Sequence, residues 1–182
     1  MASIEKNLKY KIIKNILNAE EIDIIKEYLK YRHFNNLECF DDKQSNNYDT
    51  YFYKDPLIQT FLIKKKNIIE KAVQKDLLPS YSFFRLYTYN AELKKHLDRK
   101  ACELSVTIFV DADKPDWPLY IDGEPIVLKP GEGIVYSGTQ YEHWREKYDG
   151  DYHMQFFLHY VYKDGEYKEL AGDPLVNGEG SL

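Results

Sequence analysis

The stretch "KKHLDRKACELSVTIFV" (residues 94–110) sets a histidine and an aspartate two positions apart, just ahead of a run of β-branched and aromatic residues. "ELSVTIFV" has the composition of a strand. In an extended segment, residues i and i+2 project to one face, so His96 and Asp98 can hold one ion between them. Five His and 15 Asp among 182 residues give roughly 0.4 such pairs by chance, so the spacing is weak by itself. Its appeal is chemical. An imidazole, a carboxylate and a second imidazole form a facial triad that leaves coordination positions open for oxygen chemistry on Fe(II).

Working outward, residues 81–162 keep the same texture. "YSFFRLYTY", "WPLYI", "PIVL", "GIVYSG", "YEHWRE" and "YHMQFFLHYVY" are short and rich in aromatic and β-branched residues. "DADKPD", "DGEP", "KPGEG" and "YDGD" separate them as turns. Upstream, residues 19–31 place Ile22, Ile25 and Leu29 at helical spacing behind an Asn18 N-cap. A second helix starts at Asp55-Pro56 and carries Ile58, Phe61, Leu62, Ile69, Ala72 and Val73 to about residue 76. Amphipathic stripes of this kind face cores, so both helices read as buttresses. The class is α+β, a β-sandwich or small barrel of about seven or eight strands braced by N-terminal helices. The division is one domain over 1–182: a helical support (1–80), a β core (81–162) and a polar, Gly-rich tail (163–182). Segments 33–54 and 111–124 read as irregular, in the manner of lids.

Composition narrows the function. The net charge of -5 gives no basic excess for nucleic acid. No stretch nears the ~20 apolar residues of a membrane span, and the N-terminus lacks the apolar run of a secretory signal. Cys39 and Cys102 are too few for a disulfide framework and fit a reducing cytosol. The Lys-, Ile- and Asn-rich composition suggests an AT-rich genome. There are 21 Lys but only four Arg: Arg32, Arg85, Arg99 and Arg145. The rigid fork of Arg, which Lys cannot copy, draws attention to each.

Four further histidines compete for the third ligand position. His33, near the first helix, is a poor candidate. His153 and His159 share a face of the last strand and read as well as plain strand residues. His143, 47 residues past His96, is the best candidate, although alone it reads first as a structural histidine. Ser105 and Thr107 alternate after "HLD", as pocket lining or as ordinary strand residues. Trp117, Tyr136 and Trp144 read first as core, then as substrate walls.

The order strand, "HLD", strand, Pro-Gly turn, strand, "EHWRE", strand resembles the double-stranded β-helix (jelly-roll, cupin-like) of the iron(II)/2-oxoglutarate dioxygenases. It looks most like the prolyl-4-hydroxylase branch, which includes small bacterial and phage-encoded members. The resemblance covers residues 81–162 and rests on "LYTYNAELKKHLDR", "LKPGEGIVYSG" and "EHWRE". It implies iron on His96, Asp98 and His143, with Tyr87, and Tyr89 close by, matching the tyrosine upstream of the first ligand. The family usually carries a Lys or Arg about ten residues after the distal histidine, to hold the far carboxylate of 2-oxoglutarate. Here that region is "YDGDYHMQ", with His153 and no Lys or Arg. Arg145 is then the first substitute, Arg85 the second, and His153 with Gln155 the third. The resemblance further implies Fe(II), 2-oxoglutarate and O2, with ascorbate as a possible additive. The products would be succinate and CO2, and the substrate a small molecule or a peptidyl residue. Asp98, a carboxylate where halogenating relatives leave a gap, points to hydroxylation. The competing readings are a cupin-like metal protein without 2-oxoglutarate turnover and a non-enzymatic sandwich. Substrate, and monomer against homodimer, stay open.

Overall fold

The computed structural model describes residues 9–35 and 49–173. In chain order the elements are β1 (Tyr10–Ile13), α1 (Ala19–Phe34), β2 (Asp49–Tyr53), α2 (Pro56–Lys64), α3 (Lys66–Val73), β3 (Leu77–Thr88), β4 (Leu93–His96), β5 (Leu104–Ala112), β6 (Leu119–Ile121), β7 (Glu124–Ile126), β8 (Gly133–Tyr136), β9 (His143–Arg145) and β10 (Tyr152–Tyr162). A six-stranded sheet runs β1-β8-β5-β10-β3-β2 and a four-stranded sheet runs β4-β9-β6-β7. The strand pairings are antiparallel in both.

Local chemistry starts the helices where the sequence predicts. The Asn18 side chain accepts from Glu21 N (2.8 Å), and Glu21 reaches back to Asn18 N (3.1 Å), a reciprocal capping box. Asp55 accepts from Leu57 N and Ile58 N, with Pro56 in the first turn. The second helix is two. It breaks at Lys65, whose ammonium binds the Glu21 carboxylate at 2.7 Å. The turn signals also hold: Asp122 and Gly123 both take positive φ (50° and 84°) in the two-residue β6–β7 hairpin, the conformation that Asp-Gly favours.

Three strands lie outside the sequence expectation. β1 and β2 form the two edges of the large sheet, and β4 is the "LKKH" segment itself. The region expected to be irregular between residues 33 and 54 therefore contains β2, while 36–48 and Cys39 lie outside the described residues, as do the His33 side chain and residues 174–182.

Strand pleating sorts the side chains of the large sheet, because successive residues point to opposite faces. Phe84 and Leu86 (β3), Val106, Ile108 and Val110 (β5), and Phe156, Leu158 and Tyr160 (β10) pack with the helix residues Ile25, Leu29, Ile58, Phe61, Leu62 and Ile69 in one apolar core. The residues between them carry different chemistry: Arg85 and Tyr87, Ser105 and Thr107, His153, Gln155 and His159, all buried. This second face looks toward the four-stranded sheet, where Phe109, Leu119, Ile121, Ile126, Ile134 and Tyr136 close the gap. Polar side chains thus line the interior between the sheets while the helix side stays apolar.

Candidate functional site

β4 and β9 are paired, and one register pair is His96 opposite His143. The two rings sit 4.3 Å apart, centre to centre. Asp98, just past the end of β4, is tied back by its N–H to Gly138 O (2.9 Å). Its Oδ1 lies 3.5 Å from His96 Nε2 and 3.4 Å from His143 Nε2. All three donor groups fall within 4.8 Å of one another, a spacing that one cation can bridge.

The backbone fixes which nitrogens face inward. His96 Nδ1 lies 2.7 Å from Lys94 O, and His143 Nδ1 lies 3.1 Å from Tyr141 O. Each ring therefore donates from Nδ1 and leaves Nε2 facing Asp98, the nitrogen free to serve as a metal ligand. Burial would raise the Asp98 carboxyl, but the imidazoles of His143 and His96 hold it well below the usual carboxylate range. Burial would lower His143, and the Asp98 charge outweighs it and raises the ring. These mutual shifts describe negative charge concentrated between two imidazoles, a setting that suits a cation. Asp98 Oδ2 accepts a short bond from Ser105 Oγ (2.6 Å). A β-carbon at Gly138 would lie 2.0 Å from that same oxygen, so only glycine leaves room for the carboxylate.

A cavity of about 250 Å³ opens beside these groups; Tyr81, Phe83, Arg85, Tyr136, Phe157 and His159 are among its walls. The Tyr136 ring lies 5.0 Å from that of His143.

Deeper between the sheets, Arg145 follows His143 on the same face of β9. It is 3 % exposed and bonds to Trp117 O and to Gln155 Oε1 (2.7 Å). Trp117 covers its guanidinium at 4.7 Å. Among the described residues no carboxylate pairs with it, and burial drives its pKa down from 12.5 to about 10. Arg145 Nε, His153 Nδ1 and Gln155 Nε2 are sealed from solvent without a hydrogen-bond partner among the described residues. His153 Nε2 lies 3.2 Å from Gln155 Oε1, and Tyr87 packs beside His153 at 6.3 Å between ring centres. Buried donors and an unmatched buried cation are costly unless an anion arrives to meet them.

The structure therefore brings together His96, Asp98 and His143 in one cluster, and Arg145, Tyr87, His153 and Gln155 in a second, adjoining it along β9. Arg85 lines the cavity but is ion-paired to Asp49 on β2 at 2.6 Å. Tyr89 does not join either group: it lies beyond the end of β3, where Asn90 turns with φ 68°, and is 58 % exposed. Trp144 stacks on Tyr120 (5.1 Å, 8°), on the face of β9 opposite His143 and Arg145, and is not among the residues that wall this cavity. Sequence reasoning missed Gly138, the capping partner of Asp98. It set His159 with His153 on one face of the last strand and read it as well as a plain strand residue; the structure places it among the cavity walls.

No family model matches the sequence, and no curated protein matches it. Solved structures do match in shape. A Pseudomonas putida prolyl-4-hydroxylase superimposes with a TM-score of 0.64 at 16% identity, covering 83% of this chain and 91% of that one. The collagen prolyl hydroxylase of Paramecium bursaria Chlorella virus-1, solved with 2-oxoglutarate, gives 0.61 at 12% over 84% and 96%. A non-haem α-ketoglutarate-dependent carbocyclase of nogalamycin biosynthesis gives 0.70 at 13% over 94% and 90%. At such identities the likeness speaks for architecture: the chain has the double-stranded β-helix fold of the Fe(II)/2-oxoglutarate-dependent oxygenases.

Proposed function

We propose that the protein is a non-haem Fe(II)/2-oxoglutarate-dependent oxygenase that hydroxylates an unactivated C–H bond. His96, Asp98 and His143 would hold the metal through two Nε2 atoms and a carboxylate. Arg145, with Gln155, His153 and Tyr87 around it, would receive the far carboxylate of 2-oxoglutarate. When bound, the iron would activate O2, which is the oxidant: one oxygen atom would go into succinate as 2-oxoglutarate loses CO2, and the other into the substrate C–H bond.

The chain's own residues position and shield. Lys94 O and Tyr141 O hold the two rings in the ligating tautomer. Ser105 and Gly138 fix the second oxygen of Asp98. Trp117 and Tyr148 close the Arg145 pocket against water, with ring centres 4.7 Å apart. The observation that carries the proposal is the buried guanidinium of Arg145, lacking a carboxylate among the described residues, beside a three-donor cluster of metal-ligand type.

Neighbours of this fold act on different molecules. One was solved with hygromycin B bound (TM-score 0.66) and another with 5-hydroxyectoine (0.64). With the prolyl hydroxylases they support a small-molecule or peptidyl substrate. We place the whole of 1–182 in one catalytic unit, because β1 and β2, from outside the 81–162 core, supply the edges of the sheet that carries the site. A buried, unpaired Cys102 supports a reducing compartment, the cytosol.

The test is succinate release from 2-oxoglutarate with Fe(II), O2 and ascorbate, with and without free amino acids and prolyl peptides. Turnover lost in Asp98→Ala and His143→Ala supports the assignment. Stoichiometric metal uptake without 2-oxoglutarate binding would leave a cupin-like metal protein, and no metal uptake at all would leave neither.

A further inference from the structure

Arg99 follows Asp98 in the chain and is one of the cavity walls, yet it takes no part in the roles assigned so far. Its guanidinium lies over the Tyr81 ring at 4.5 Å. It holds the Asp173 carboxylate with two prongs, Nη1 to Oδ1 at 2.6 Å and Nη2 to Oδ2 at 2.7 Å. The Tyr53 hydroxyl donates to the same carboxylate. Lys54 Nζ lies beside it, bonded to Gly172 O (3.1 Å) and Asp173 O (3.3 Å). Two cations and a hydroxyl thus gather around one carboxylate. Burial would raise the Asp173 carboxyl, but Arg99 and Tyr53 outweigh it and hold it below its usual range. The cradle therefore favours an anion over a neutral group.

The carboxylate in this cradle comes from a different kind of element than its counterpart across the cavity. Arg85, the other arginine of the wall, pairs with Asp49, which the β2–β3 ladder fixes. Asp173 belongs to neither sheet. It follows a single 3₁₀ turn (Lys168–Leu170) and enters through two successive left-handed residues, Gly172 (φ 72°) and Asp173 itself (φ 49°). The Asp173 β-carbon disfavours that conformation, so the backbone is bent at a cost to bring the carboxylate in. Apart from the cradle, the bend is tied by Gly172 N to Pro79 O (2.9 Å). In the Arg99–Asp173 pair the cation is the more open member, 39 % exposed against 4 %. A carboxylate on a separate molecule carries no such backbone cost, while Asp173 has the advantage of its tether.

We infer that Arg99, Tyr53 and Lys54 form a carboxylate-binding subsite bordering the cavity, which the chain's own Asp173 fills, and that its ligand is a compact carboxylic acid with an apolar body. The Arg99 guanidinium is common to the cradle and to the cavity wall. That wall is mixed: the rings of Tyr81, Phe83 and Phe157 share it with the metal cluster and the two arginines. The rings suit the apolar body, and Arg99, next to Asp98, suits the acid. Asp173 then screens out neutral molecules, because only an anion competes for the fork. Calling the ligand the substrate rests on the oxygenase proposal; the subsite does not.

Benzoate and benzamide, equal in shape and different in charge, test the inference on metal-free protein. Affinities are measured by calorimetry for the parent, for Asp173→Ala, and for Asp173→Ala with Arg99→Gln added. All other charges are common to the three forms. Emptying the cradle should raise benzoate affinity more than about fivefold, as charge-assisted hydrogen bonds allow. Benzamide should change by less than about twofold, and Arg99→Gln should remove the gain. The chain has four Arg, so side-chain ¹⁵Nε spectra are simple, and benzoate should move the Arg99 signal in Asp173→Ala. A smaller gain, a gain shared by benzamide, a gain that survives Arg99→Gln, or an unmoved Arg99 signal overturns the inference. Asp173→Asn replaces Asp173→Ala if the latter does not fold. Failure of both to fold also overturns it, because an exchangeable contact is not one the fold depends on. These readouts need no metal, so they fail or succeed apart from metal uptake and succinate release, on which the oxygenase proposal is judged.

Discussion

Replacing Arg145 with Met should move stability and co-substrate affinity in opposite senses. A pKa lowered from 12.5 to about 10 corresponds to about 3 kcal/mol of burial cost carried by the charged group. That cost is fully present at neutral pH, since a base whose folded pKa is depressed is destabilising wherever it stays charged. Methionine removes it. It also strips partners from Trp117 O and from Gln155 Oε1, a loss of about 1–3 kcal/mol, mostly at the carbonyl, because Gln155 keeps His153. The ligand-free variant should therefore be as stable as the parent, or more so by up to about 2 kcal/mol. That is a rise of about 0–8 °C in Tm for a chain of this length. Binding of 2-oxoglutarate to Mn(II)-loaded protein should weaken by about 2–5 kcal/mol, roughly 30- to several thousand-fold, as when one partner of a buried charge pair is cut away. Calorimetry and thermal unfolding measure both. At 2-oxoglutarate concentrations of 100 times the parent's Kd the parent should gain about 2.7 kcal/mol, and the variant less than about 1 kcal/mol at the same concentration. A Tm drop of more than about 10 °C with an unchanged Kd would refute the reasoning and make Arg145 an ordinary structural residue.

Gly138→Ala should abolish Mn(II) binding while leaving the helix-side core intact, because the new methyl collides with Asp98 Oδ2; electron paramagnetic resonance of free Mn(II) measures it. Ser105→Ala should cost about 10–100-fold in metal affinity, the usual effect of removing a bond that orients a ligand, with Ser105→Thr restoring part of it. Asn18→Ala should lower stability by about 1 kcal/mol through loss of the capping box and leave metal affinity unchanged. Glu21 faces a burial cost, but Lys65, Lys64 and the Asn18 N–H outweigh it and bring its pKa down to about 2. Its contribution is whole above the unfolded value of 4.5 and fades as pH falls toward 2, so Glu21→Gln should flatten acid unfolding over that interval.

The parts legible in the sequence were those that period and spacing encode. His96 and Asp98 share a face because the backbone there is extended, and Asp55-Pro56 starts a helix as its chemistry requires. Arg145 was reachable for the same reason, two residues past His143 on one strand. What stayed hidden depends on register. Nothing local says that Asp49 lies across from Tyr87, close enough to neutralise Arg85. Nothing in "YSG" says that Asp98, 40 residues earlier, needs the space at Gly138. Tyr89 stands apart from both clusters because the strand ends one residue before it, and a strand end is set by the following turn rather than by alternation. The single long helix is two, parted at Lys65, and the local apolar spacing carries no sign of that break.

The pairing of His96 with His143 has one more consequence. The small sheet has few residues per strand, and its β4–β9 seam joins chain segments 47 positions apart. A cation held there would act as a clasp on that long loop, contributing the closure entropy that so short a seam cannot supply alone. Chelation should then open this edge before anything else: amide hydrogens of residues 93–98 and 143–145 should exchange faster, and proteases should cut there first, while the six-stranded sheet stays protected.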